Sequence, residues 1–132
     1  MQISLHLIFA IFIYKSLKNM DITCIRRNKT YNKRKLVFKD SKNKTIHEVT
    51  PWIGWICHSK RIEGELHSII RKHVLENLYW LLGCDCDKED WDKFILRKHQ
   101  GKLCGITIKD KPESVFFNEE EYKTALNSFN NK

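Results

Sequence analysis

Between Ser59 and Leu82 the chain repeats apolar side chains at helical spacing for longer than anywhere else. Turned at about 100° per residue, Ile62, Leu66, Ile69, Ile70, Val74, Trp80 and Leu81 fall on one side. The spacing predicts one long helix of roughly 35 Å, at 1.5 Å per residue. Its last two turns, Leu75 to Leu82, are apolar on nearly every side, so this end is expected to be buried all round. Gly83 stands where a left-handed residue commonly closes a helix. His73 and Asn77 interrupt the stripe. Four residues apart on one face, they are expected to be hydrogen-bonded to each other or to backbone, because buried polar groups nearly always have partners.

The segments before this helix have a different grain. Ile22 to Ile25, Leu36 to Phe38 and Thr45 to Val49 are short runs rich in β-branched and aromatic residues. Clusters of Asn, Asp, Ser and Lys separate them. They predict an antiparallel three-stranded meander ended by Pro51, with Trp52 and Trp55 plugging the end of the core around Gly54. After the long helix, Asp87 stands as N-cap of a shorter one. Acids fill that helix's first turn, Arg97, Lys98 and His99 its last, and Gly101 follows. Trp91, Phe94 and Ile95 form its apolar face. Leu103 to Ile108 and Ser114 to Phe117 read as two further strands. Asn118 and Glu121 form a capping-box pair that opens a final helix with Tyr122, Ala125, Leu126 and Phe129 on its buried side. The fold class expected is α+β: an N-terminal antiparallel β-meander packed on a long central helix, then a shorter helix, two strands and a C-terminal helix.

A chain of 132 residues is one domain by size. Residues 20–132 are read as that domain. Residues 1–19 form an apolar N-terminal segment, an upstream extension or leader, whose run from Ile3 to Tyr14 is broken only by Ser4 and His6. Twelve residues are fewer than the roughly 20 that span a bilayer, so a membrane association is not expected. The five cysteines, Cys24, Cys57, Cys84, Cys86 and Cys104, are odd in number and lack the regular spacing of a disulfide framework. A reducing, cytoplasmic setting fits them.

The net charge of +8 is concentrated. From Lys15 to Lys44 eleven basic residues face only Asp21 and Asp40, whereas the chain from Thr45 onward is nearly balanced. A block of cations like this attracts phosphate backbones or acidic proteins. Arg26, Arg27, Tyr31, Lys33, Arg34 and Lys35 are the candidate nucleic-acid contacts, the cations holding phosphates and Tyr31 offering a ring for a base. The function expected is non-catalytic nucleic-acid binding, with DNA and RNA left undistinguished. An interaction module or inhibitor docking on an acidic protein is the alternative; the Lys-, Asn- and Ile-rich composition suits an AT-rich virus or mobile element.

Other chemistry is less well supported. Cys84, Cys86, His99 and Cys104 are the candidate metal ligands, but Cys84-Asp-Cys86 is one residue tighter than the usual zinc knuckle, and no cofactor is expected. Asp85, Asp87 and Glu89 alternate like a calcium loop, yet Asp90 stands where that loop needs Gly. For a histidine-dependent nuclease or hydrolase the candidates are His58, Glu63, His67 and His73, with Glu63 placed four residues before His67 to orient its ring. No nucleophile motif, glycine-rich phosphate loop or paired-Asp metal signature accompanies them.

Overall fold

The computed structural model describes residues 21–28, 33–52, 55–82, 85–99, 104–108, 111–115 and 117–132. The architecture is α+β: a four-stranded antiparallel meander comes first and helices follow. The strands are β1 (Thr23–Arg27), β2 (Lys35–Lys39), β3 (Thr45–Trp52) and β4 (Trp55–His58). Further on, the backbone is extended at β5 (Cys104–Ile108), parallel to β4, and β6 (Lys111–Val115), antiparallel to β5. The helices are α1 (Gly64–Glu76), α2 (Leu78–Leu82), α3 (Lys88–His99) and α4 (Glu119–Asn127), with a closing 3-10 turn at Ser128–Asn131.

The meander has one strand more than the sequence suggested. Pro51 does not end it: β3 runs on to Trp52, and Pro51 pairs with Ile56 of β4. The apolar stripe likewise divides. Ser59 is held by β3, donating its N–H to the Glu48 carbonyl at 2.9 Å and accepting the Glu48 N–H on its hydroxyl at 3.0 Å. It is therefore tied to the sheet just past the end of β4, and helix begins only at Gly64, whose φ of +67° is a left-handed entry that suits glycine. The second break falls at Asn77, with φ −110° and ψ 14°. Its backbone N–H lies 3.1 Å from the His73 carbonyl, and its side-chain amide donates to the same oxygen at 2.7 Å. This local capping competes with helix continuation, as Asn side chains do. The predicted all-round burial after the break is present: Leu78, Tyr79, Trp80, Leu81 and Leu82 are all buried.

The helix-start signals predicted for α3 and α4 are present as bonds. Asp87 accepts the Asp90 N–H at 2.8 Å. Asn118 and Glu121 cap each other reciprocally at 2.8 and 3.1 Å.

Leu36, Phe38, Val49 and Ile56 of the sheet form one apolar cluster with Ile70, Val74, Leu78, Leu81, Trp91, Ile95 and Ala125 of the helices. All four helices thus contribute to the core on one side of the sheet. Trp91 ties two of them together, its indole N–H pointing at the carbonyls of Ala125 and Leu126 at 3.3 and 3.2 Å. No helix among the described residues is long and apolar enough to cross a membrane.

Candidate nucleic-acid interface

Strand alternation divides the basic block into two populations. Paired residues of an antiparallel ladder point to the same side. Cys24 opposite Phe38 and Arg26 opposite Leu36 therefore face the helices, whereas Thr23 opposite Lys39, Ile25 opposite Val37 and Arg27 opposite Lys35 face away.

The inward population is engaged within the molecule. Arg26 donates from Nε to the Asn77 Oδ1 at 2.7 Å and from Nη2 to the Asn131 carbonyl, and its guanidinium lies 5.0 Å from the centre of the Trp80 ring. Arg34 lies 5.4 Å from the same ring and donates from Nη1 to the Trp80 carbonyl at 2.7 Å. Two guanidiniums on one indole repel, and the surrounding carbonyl and amide oxygens offset that repulsion. Burial, then the like charge of Arg34 against the opposing pull of Cys24, moves the Arg26 pKa down; an arginine remains a cation regardless. Cys24, beneath Arg26, has its thiol pushed up to about 11, first by burial and then by Glu76, with Arg26 opposing.

The outward and loop population is open. Arg27 and Lys33 are exposed at one end of β1 and β2, and Lys42 and Lys44 are exposed at the other, in the turn that Asp40 shapes by accepting both of their backbone N–H groups at 2.9 Å. None of these four side chains forms an ion pair among the described residues. Lys39, half-buried, stands beside the second pair. Lys35 is drawn to Glu48 at 3.4 Å. Of the six predicted contacts, then, Arg27 and Lys33 form no ion pair among the described residues, Arg26, Arg34 and Lys35 have internal partners, and Tyr31 lies outside the described residues. About 13 Å separates the two ends, four strand steps along β2.

The histidines distribute differently from the surface base expected. His58 is buried and its Nδ1 lies 2.8 Å from Nε2 of His47, a residue that no sequence pattern singles out. His47 lies opposite Phe38 across the ladder, and the second nitrogen of its ring, Nδ1, has no hydrogen-bond partner among the described residues. An orphaned lone pair is less unfavourable than an orphaned N–H, which assigns the shared proton to His47 Nε2, donating to His58. Burial first, then Lys60 against Glu48, lowers the His47 pKa to about 4. Burial first, then His47, His67 and Arg71, lowers that of His58 to about 4. Both rings are neutral at pH 7. Glu63 is exposed and pairs with Arg61 at 3.6 Å; His67 is exposed; His73 packs edge-on against Phe38 and reaches Glu76 at 4.0 Å. Among the described residues Glu63 pairs with Arg61 and not with His67, while the charge of His67 is felt at His58.

Among the described residues no three His, Cys, Asp or Glu side chains are grouped to hold a metal ion. Of the candidate ligands, Cys86 is half-buried, and its carbonyl accepts from the Tyr79 hydroxyl at 2.6 Å. Cys84 lies outside the described residues. His99 ends α3 and Cys104 opens β5, and only their backbones are described.

Arg71, half-buried, pairs through Nε with half-buried Glu121. Burial would raise the Glu121 carboxyl, but hydrogen bonds from Arg71 and the Asn118 N–H, with the charges of Arg71 and His67, bring it below its usual value. No sequence signal marked this pair, whose members are fifty residues apart. An open cleft of about 690 Å³ beside Arg26 is lined by Glu76, Asn77, Phe129, Asn130, Asn131 and Lys132. Its cations are opposed by Glu76, and Lys132 lies 3.9 Å from the Phe129 ring centre. No protein-family model, curated protein or solved structure matches the chain.

Proposed function

We propose that the protein binds nucleic acid without catalysis, through phosphate contacts made by the exposed cations at the two ends of the β1–β2–β3 meander. The observation that carries this reading is the free pair at each end, Arg27 with Lys33 and Lys42 with Lys44, exposed and without ion pairs among the described residues. Duplex DNA presents one charge per about 1.7 Å of axis, so an interval of about 13 Å offers phosphates to both pairs. Arg26 and Arg34 support the surface from behind: held against Trp80, they fix the strands that carry the free cations.

With four or five phosphates neutralised, log K falls with log salt at a slope of about −4, and affinity drops about 250-fold between 50 and 200 mM salt. Titrating labelled single- and double-stranded DNA and RNA across salt tests the proposal. Replacing Arg27, Lys33, Lys42 and Lys44 together by Ala is expected to abolish most of the slope and to leave the fold intact. Binding unaffected by that change, or no binding at low salt, refutes it. A stoichiometric acidic protein that co-purifies through nuclease treatment and is lost in the same variant would assign these cations to the other partner class.

A further inference from the structure

The cleft beside Arg26, about 690 Å³, falls within the roughly 300–1,000 Å³ of small-molecule sites, and opposite charges line it without meeting. Arg26 and Glu76 both border it and both bear on Cys24, yet no ion pair joins them among the described residues. Arg26 is fixed instead by the Asn77 Oδ1 and the Asn131 carbonyl, which take Nε and Nη2 and leave Nη1 without a bond among the described residues. The Glu76 carboxylate approaches only the His73 ring, at 4.0 Å. Asn131 donates from Nδ2 to the Glu76 carbonyl at 3.1 Å, so its Oδ1 is held in place with no donor among the described residues. The apolar wall is Phe129. Tyr79 meets that ring edge-on at 4.7 Å, and the ammonium of exposed Lys132 lies over it, 3.9 Å from its centre. A flexible lysine yields such a ring to a flat base and stays beside it as a cation.

We propose that this cleft takes an unpaired guanine of the strand held by Arg27 and Lys33, stacked on Phe129 with Glu76 and Arg26 on two adjoining edges of the base. Guanine recognition here rests on the nucleic-acid binding proposed for the meander, which supplies the strand. The choice of base comes from the cleft. A carboxylate only accepts hydrogen bonds and a guanidinium only donates them. Guanine suits both, because N1–H and the N2 amine stand side by side for Glu76, and O6 stands beside N7 for Arg26. Adenine alternates donor and acceptor around its edge, so it satisfies neither group twice. Pairing with cytosine occupies N1 and N2, so a guanine bound in this way is unpaired. Position agrees with this. Arg27 follows Arg26 directly in β1, Lys33 precedes Arg34, and Arg26 and Arg34 lie over the one Trp80 ring. The cleft therefore adjoins the Arg27–Lys33 end of the meander, where a phosphate on either cation leaves its base nearby. Stacking on an aromatic ring with polar groups at the base edges is how single strands are read.

The experiment titrates the full chain at low salt with short oligothymidylate strands that carry guanine, hypoxanthine or adenine at one central position, and with their oligouridylate counterparts. The guanine strand is expected to bind about tenfold tighter than the adenine strand, with hypoxanthine, which lacks the N2 amine, between them. A preference confined to one backbone identifies DNA or RNA as the source. Glu76→Gln is expected to erase the preference and to leave the affinity for plain oligothymidylate, and its salt slope, unchanged. Equal affinity for all three bases, or a preference that survives Glu76→Gln, overturns the guanine site while salt-dependent binding leaves the phosphate surface standing. If no strand binds, it is the phosphate surface that fails, and guanosine titrated against the 15N-labelled protein decides the cleft. Shifts of the Asn77, Asn130 and Asn131 side-chain amides with guanosine and not with adenosine uphold it, and equal shifts or none overturn it.

Discussion

Lowering the pH from 7.5 to 5 is expected to remove about 4 kcal/mol of folding stability through two residues, His47 and His58. Both are almost fully enclosed, at 1% and 6% exposure, and share one hydrogen bond of 2.8 Å. In the unfolded chain each titrates near 6.5, and in the folded protein near 4. Between those values the unfolded chain binds protons that the native state refuses. Stability therefore rises with pH, and is lost as pH falls through 6.5 toward 4. One imidazole in this situation contributes about 2 kcal/mol of loss by pH 5, and two about twice that. Against the roughly 5–15 kcal/mol typical of a domain, such a loss shifts a denaturation midpoint visibly. Urea unfolding followed by tryptophan fluorescence at half-unit pH intervals measures it. His47→Gln, which can still hydrogen-bond His58 but does not titrate, is expected to halve the slope between pH 5 and 6.5. The carboxylate of Glu121 does not confuse this window, because its folded pKa is depressed and its contribution is lost only at more acidic pH. A midpoint that is flat from pH 7 to 5, or a His47→Gln slope equal to the parent's, refutes the idea that the pair is buried in neutral form.

Asn77→Ala removes the cap on the His73 carbonyl and the acceptor for Arg26 Nε, and is expected to destabilise the protein by about 1–2 kcal/mol in urea unfolding. Asn77→Gly should restore nothing, since φ of −110° is open to any residue. Trp91→Ala is expected to lose about 3–5 kcal/mol, because the 1%-exposed indole fills the space between α3 and α4 and supplies the N–H bond between them; Trp91→Phe should recover much of the packing. Near pH 8, Cys24 should react with iodoacetamide about 100-fold more slowly than a thiol of ordinary pKa 9, the ratio of thiolate populations at pKa 11 and 9, as read by peptide mass spectrometry.

The elements of this chain were legible where the signal was local. The caps of α3 and α4 lie within four residues of the helices they open, and Asp87, Asn118 and Glu121 make the bonds their positions implied. The apolar stripe correctly marked the core face through Ile70, Val74 and Leu81. Its start and its continuity were misplaced for tertiary reasons: Ser59 is tied to β3 by two bonds with the Glu48 backbone, and Asn77 breaks the helix while holding Arg26 from β1. The cations divide in the same way. Composition located the basic block, whereas strand parity and the position of Trp80 decided which guanidiniums take an internal partner.

By itself the sequence determined the α+β class, the basic first third and the starts of α3 and α4, because periodicity, charge and capping act over a few residues. The tertiary structure alone decided that Arg26 and Arg34 share the Trp80 ring, that His58 finds His47 eleven positions away, and that Arg71 meets Glu121. Those partners are chosen by strand register and by packing across the sheet, which bring together residues whose separation along the chain carries no trace of their contact.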